Sequence, residues 1–149
     1  MTAEHAARRR WMSVLAQATG AEIERAWQAL AERPEYRVVR RPEVGLVMVR
    51  GRAGGSGAPF NLGEMTVTRC TVDLPSGMAG HGYVAGRNVR HAELAAVFDA
   101  LLQDPLLTAG IEESVIGPLE AIQRERRRQL AARSAATRVE FFTLVRGDD

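Results

Sequence analysis

The stretch that decides the fold is Glu64-Met65-Thr66-Val67-Thr68-Arg69-Cys70-Thr71-Val72-Asp73-Leu74. Its side chains alternate as a strand requires, and its two faces are unequal. On one side Met65 and Val67 give way to Arg69, Thr71 and Asp73. On the other, Glu64, Thr66 and Thr68 give way to Cys70, Val72 and Leu74. The apolar parity switches near Thr68, so either a bulge sits there or the strand passes from one environment into another.

Outward from this strand the punctuation is regular. Residues 75–80 read as a turn, and residues 81–85 return as a paired strand. Upstream, residues 36–40 and 44–50 are rich in Val and are separated by Arg41-Pro42-Glu43, a strand–turn–strand pattern. Residues 44–49 are almost wholly apolar, which predicts a strand covered on both faces. Between them and the deciding strand lie Gly51, Gly54, Gly55 and Gly57, with Gly63 just beyond, in a loop. Residues 137–146, with Val139, Phe141, Phe142, Leu144 and Val145, are a further strand by composition.

Helices flank this β region. Trp11, Val14, Leu15 and Ala18 recur at helical spacing and predict a helix over about 5–18. Thr19 and Glu22 form a capping box for a second, with Ile23, Ala26, Trp27 and Leu30 on its apolar stripe and Pro34 bounding it. Asn88 caps a third that runs to about Gln103 and buries Leu94, Val97, Phe98, Leu101 and Leu102. Asp104 and Pro105 restart the chain as cap and first turn. Gly117-Pro118 is read as a break before an arginine-dense helix to about Ser134. The whole predicts an α+β fold: residues 1–149 as a single domain, with a mainly antiparallel sheet of about five strands packed with N-terminal and C-terminal helices.

A chain of 149 residues suits one such domain. No apolar run approaches the ~20 residues of a membrane span. No apolar segment follows the charged first residues, so a secretory signal is not expected. The single cysteine, Cys70, fits a reducing compartment, and the expected location is cytoplasmic. All 20 basic residues are arginine, against 18 acidic ones. Arginine's planar fork suits phosphate and carboxylate, so this composition permits an anionic ligand, although coding bias also produces it.

Each candidate site has a plain alternative. The loop Gly51-Arg52-Ala53-Gly54-Gly55-Ser56-Gly57 lacks the Gly-Lys-Ser/Thr ending of a nucleotide-phosphate loop. A strand follows it, so no helix N-terminus receives an anion, and a flexible or interface-ordered loop is the preferred reading. His5, His81, His91 and Cys70 have no metal-motif spacing, and no metal is expected. His91 shares a helical stripe with Leu94 and Phe98 and reads as a packed, hydrogen-bonded histidine. Cys70 reads as a small buried hydrophobe. Arg69, at the polar turn of its strand, and Arg87, at a strand-to-helix junction, are placed to grip phosphate oxygens. Glu93 and Asp99 read as structural, Glu93 pairing with Arg90 one turn away. Arg124, Arg126, Arg127, Arg128 and Arg133 resemble a nucleic-acid footprint. Glu120 and Glu125 interleave, however, and favour a solvated or partner-facing helix with a Glu120–Arg124 pair. An arginine-rich nucleic-acid-binding module is the alternative function.

Five collinear segments carry a resemblance to a known family. They are residues 10–16 (RWMSVLA), 54–70 (GGSGAPFNLGEMTVTRC), 80–87 (GHGYVAGR), 91–95 (HAELA) and 138–148 (RVEFFTLVRGD). Together they resemble the PhnG family of phosphonate-metabolism proteins, from near Arg8 to the end of the chain. The resemblance implies a cytosolic subunit of the carbon–phosphorus lyase complex, assembled with the core subunits PhnI, PhnH and PhnJ and with the ATP-binding-cassette proteins PhnL and PhnK. It implies a step in which an alkylphosphonate displaces adenine from ATP, giving a ribose 1-phosphonate 5-triphosphate. The nucleosidase chemistry is attributed to PhnI, and the radical enzyme PhnJ later cleaves the product. ATP is then a substrate of the complex, and no cofactor is bound by this chain alone. The resemblance also implies that the family pattern holds the positions of Arg69, Arg87, His91 and Glu93 more firmly than those of Cys70 and His81. It assigns no catalytic residue, and it makes Arg69, Arg87, His91 and Glu93 the candidates for binding substrate or phosphate.

Overall fold

The computed structural model describes residues 3–136. Helix α1 spans Ala3–Gln17 and α2 spans Gly20–Ala29. Strands β1 (Arg37–Arg52), β2 (Pro59–Asp73) and β3 (Ala79–Ala85) form an antiparallel sheet in the order β1-β2-β3. Helix α3 (Val89–Leu101), the short α4 (Thr108–Ile111) and α5 (Gly117–Ala136) complete the described chain, with a π turn over Glu112–Ile116 joining the last two. The α+β class and the antiparallel sheet agree with the sequence. The sheet has three strands among the described residues where five were expected, and the expected strand over 137–146 lies outside them.

Two expected strands are one. Residues 41–43 make no turn; they are a bulge inside β1, because Arg40 pairs with Thr71 and Glu43 with Arg69, leaving two residues opposite Cys70. A second surplus residue, Val39, lies between the pairs Val38–Val72 and Arg40–Thr71. Pro42 has no N–H to donate, and an edge strand at a bulge is where a sheet tolerates that loss.

The parity switch at Thr68 has a clear origin. The β1–β2 pairing runs without irregularity from Val44–Thr68 to Val49–Gly63, so no bulge sits there. What changes is the company: β3 pairs with β2 only from Val67–Ala85 onward to Asp73–Ala79. On the three-stranded side, Thr68, Cys70, Val72, Leu74 and Val84 are buried. On the other side β1 and β2 continue alone as a two-stranded ribbon.

Helix α3 is the centre of the core. Ten of its residues, from His91 and Ala92 through Leu94 to Leu101, are buried, so it is enclosed all round and not merely along one stripe. Gly80 and Gly82 let it approach β3 closely. A Cβ on either would stand 1.9 Å from a helix carbonyl oxygen, that of Ala96 or Ala92 respectively. Trp27 from α2 meets Phe98 edge-to-face at 6.2 Å. The expected caps form: Thr19 and Glu22 make the reciprocal box, and Asn88 accepts from the His91 N–H.

Two helix boundaries differ from expectation. Asp104 starts no helix; its side chain accepts from Leu106 N–H and its carbonyl from Leu107 and Thr108, a turn that leads into α4. Gly117-Pro118 does not break the chain's last helical run. The π turn widens the helix just where a proline ring would meet a carbonyl of the preceding turn, and α5 continues from it.

Candidate functional site

Within the core the polar chemistry is fully occupied by structure. Asp99 on α3 is wholly buried. It accepts from Arg8 Nε (3.2 Å) and Nη2 (2.8 Å), Trp11 Nε1 (2.8 Å) and the His81 backbone N–H (2.9 Å), tying α1 and β3 to α3. His91 is buried with Nε2 2.8 Å from the Leu15 carbonyl, as a packed, hydrogen-bonded histidine should be. Cys70 is buried and bonds the Arg40 carbonyl through Sγ. Burial first, and the charge of Glu93 second, push its thiol up to about 11, which makes it a poor nucleophile.

The four candidate site residues fall in different places. Arg69 lies on the open face of the sheet in an ion pair with Glu43 (3.1 Å). Arg87 is exposed in the turn between β3 and α3, and no hydrogen bond to it is seen among the described residues. His91 is in the core. Glu93 accepts from the Tyr36 hydroxyl and from Arg90 Nη1, the latter at 3.4 Å. Arg90 in turn binds Glu24 at 3.0 Å and lies 6.0 Å from the Trp27 ring centroid. Burial, then the bond to Glu93, raises the Tyr36 hydroxyl above its ordinary value. The four do not converge on one cleft. Among the described residues, no three His, Cys, Asp or Glu side chains gather as metal ligands do.

The arginine-dense helix α5 is partly neutralised. Arg126 binds the nearly buried Glu22, and Arg128 binds Glu125. The expected Glu120–Arg124 bond does not form. Glu120 pairs with Arg10 of α1, which also binds Glu112. The Arg10 guanidinium accordingly holds the Glu120 carboxyl below its ordinary value. Sequence spacing identifies neighbours on one helix, and here a residue 110 positions away competes successfully for the carboxylate.

Among the described residues, the ribbon gathers the longest run of exposed apolar side chains. Val44, Leu46 and Met48 stand opposite Thr68, Thr66 and Glu64 on one face; Gly45, Val47 and Val49 stand opposite Val67, Met65 and Gly63 on the other. Leu46 is 62% exposed and Leu62 66%, with Val44, Met48, Phe60 and Met65 also exposed. Phe60 and Leu62 flank Gly51 near the tip, at 3.9 Å from where its Cβ would be. The coverage on both faces that residues 44–49 predicted is not supplied by the described chain. A two-stranded ribbon is marginal by itself in water, and a run of exposed apolar side chains of this size marks an interaction surface. Arg50 and Arg52 stand exposed at its far end, beside a short 3₁₀ turn over Ala53–Gly55.

The fold and this site define a class: a small α+β domain whose polar core groups serve structure and whose two-stranded ribbon exposes apolar side chains among the described residues. Comparison with known proteins gives the particulars. The family described as Phosphonate metabolism protein PhnG matches residues 6–147. The chain is 50% identical over 147 residues to a protein of Rhizobium meliloti (strain 1021) named alpha-D-ribose 1-methylphosphonate 5-triphosphate synthase subunit PhnG, covering 97% of this chain and 92% of that one. The chain therefore belongs to the PhnG family of phosphonate-metabolism proteins. Among the described residues, no helix is long and apolar enough to cross a membrane.

Proposed function

We propose that this chain is the G subunit of a synthase that joins the ribose triphosphate of ATP to methylphosphonate with release of adenine. It docks through its ribbon onto the companion that owns the reaction centre. The observation that carries this reading is the ribbon, apolar on both faces and uncovered by the described chain. The 50% identical relative, named as a subunit of such a synthase, supports the reaction. In it a phosphonate oxygen bonds C1′ of the ribose while the C1′–N9 bond breaks and adenine leaves with the bonding electrons. The α configuration in the relative's name, against the β linkage of ATP, requires attack from the face opposite adenine. Such a displacement needs support for a developing positive sugar and several phosphate charges.

The companions are PhnI, which carries the nucleosidase chemistry, together with PhnH and PhnJ and the ATP-binding-cassette proteins PhnL and PhnK. The compartment is the cytoplasm, and this chain binds no cofactor alone. Of the four residues singled out in the sequence, Arg87 is the best placed to touch an anion across the interface, since its guanidinium is exposed. Arg69 reaches one only by exchanging Glu43, which is itself exposed. His91 and Glu93 act through α3, by fixing it to α1 and to Tyr36.

The test is reconstitution. The isolated chain should release no adenine from ATP, and adding it to the companions should restore methylphosphonate-dependent release. Adenine release by the pure chain would overturn this division of labour.

A further inference from the structure

The ribbon's shaft and tip differ in chemistry. From residue 44 to residue 63 the chain holds two charges, Arg50 and Arg52, and no carboxylate. Among the described residues seven of the sixteen other arginines, including Arg8, Arg10 and Arg69, are ion-paired. Arg50 and Arg52 have no ion pair among the described residues, and the nearest carboxylate of the ribbon, Glu64, stands opposite Met48. Arg52 donates from Nη1 to the Gly57 carbonyl at 3.0 Å, which steadies its side chain and leaves the rest of its fork free of the loop. The two arginines line one shallow depression of about 530 Å³ with Gly51, Gly55 and Pro59. Gly54 and Gly55 hold positive φ, 60° and 79°, so the loop turns back without side chains that would crowd this depression.

We infer that Arg50 and Arg52 are an oxyanion-binding tip, which the ribbon carries into the companion's site to hold phosphate or phosphonate oxygens there. This rests on the docking reading above. It gives the glycine loop a role that its sequence, lacking a phosphate-loop ending, does not declare: the anion is met by guanidinium forks beside a bare loop, with no helix terminus involved. An apolar shaft is buried by docking, and its tip then lies in a desolvated setting where two unneutralised cations attract an anion strongly. The tip takes part in binding and orientation, and no proton or bond change is assigned to it.

The experiment uses the reconstituted complex, with ATP and methylphosphonate varied separately and adenine measured. R50Q/R52Q is expected to assemble at the wild-type size and to raise one KM about tenfold or more, the loss expected when one charge-assisted hydrogen bond goes. A rise in the KM for ATP places the tip on the triphosphate; a rise in the KM for methylphosphonate places it on the phosphonate. R50K/R52K, which keeps the charge but loses the fork, should recover part of the loss. Unchanged KM values for both substrates would overturn the inference. So would failure of R50Q/R52Q to assemble, because the arginines would then be pairing with a companion's carboxylates. If the wild-type complex itself releases no adenine, the synthase reading falls first and the inference with it.

Discussion

Strand β2 lives in two environments, and its halves show what each demands of a sequence. From Thr68 to Asp73 it has neighbours on both edges and α3 across one face, and its inward side chains are buried. From Pro59 to Met65 it has β1 alone, and its apolar side chains face solvent. The first half is stabilised by the chain's own core. The second half carries apolar side chains that no other described residue covers. A mutation in one half should therefore register as lost stability, and in the other as lost association.

The largest expected effect lies under the covered half. Asp99→Ala removes the acceptor shared by Arg8, Trp11 and the His81 N–H, and should cost about 3–5 kcal/mol, read from chemical denaturation. Gly82→Ala drives a methyl into the Ala92 carbonyl and should cost about 1–3 kcal/mol by the same measurement, as α3 is forced off β3. A ribbon variant costing as much would erase the contrast between the two halves.

Acid should act on the helical side. Burial alone would raise the Glu22 carboxyl, but the bonds from Thr19 and the Arg126 charge outweigh it and hold it below its ordinary 4.5. A lowered folded-state value means that Glu22 contributes fully above 4.5 and loses that contribution as the pH falls through the lowered value. Melting temperature against pH should thus show an acid limb that Glu22→Gln flattens. An unchanged limb would mean that the capping box is not sensed. The smallest stability change belongs to the ribbon: Leu46→Ser with Met48→Ser should alter unfolding by no more than about 0.5 kcal/mol. The same double variant should fail to co-purify with the companion subunits. Retained co-purification would show that the ribbon is not the docking element.

Local chemistry was legible in the sequence. The Thr19–Glu22 box and the Asn88 cap need residues three apart, and both formed. The change of company at Thr68 was visible because a strand's pattern reports its surroundings residue by residue. Pro42 misled because a proline between two Val-rich runs looks the same in a turn and in an edge-strand bulge, and only pairing distinguishes them. The Asp99 hub was out of reach, since its partners lie 91, 88 and 18 positions away. Arg69 and Arg87 were found as exposed cations, but Arg69's pairing with Glu43 depends on the register of β1 against β2. The loop that holds Arg52 reads as an interface loop because it lacks a phosphate-loop ending, and the significance of Arg50 and Arg52 lies instead in the carboxylates missing from residues 44–63.

The surplus residues of β1, Val39 and the pair opposite Cys70, have a geometric consequence. Bulges bend a strand and tighten its coil, so these positions aim the hairpin like an elbow whose angle is fixed by residue count. Excising one amino acid there would keep nearly the whole composition of the chain. It would nonetheless restore one-to-one pairing and straighten the elbow, so the arm would point elsewhere while Leu46 kept its place opposite Thr66.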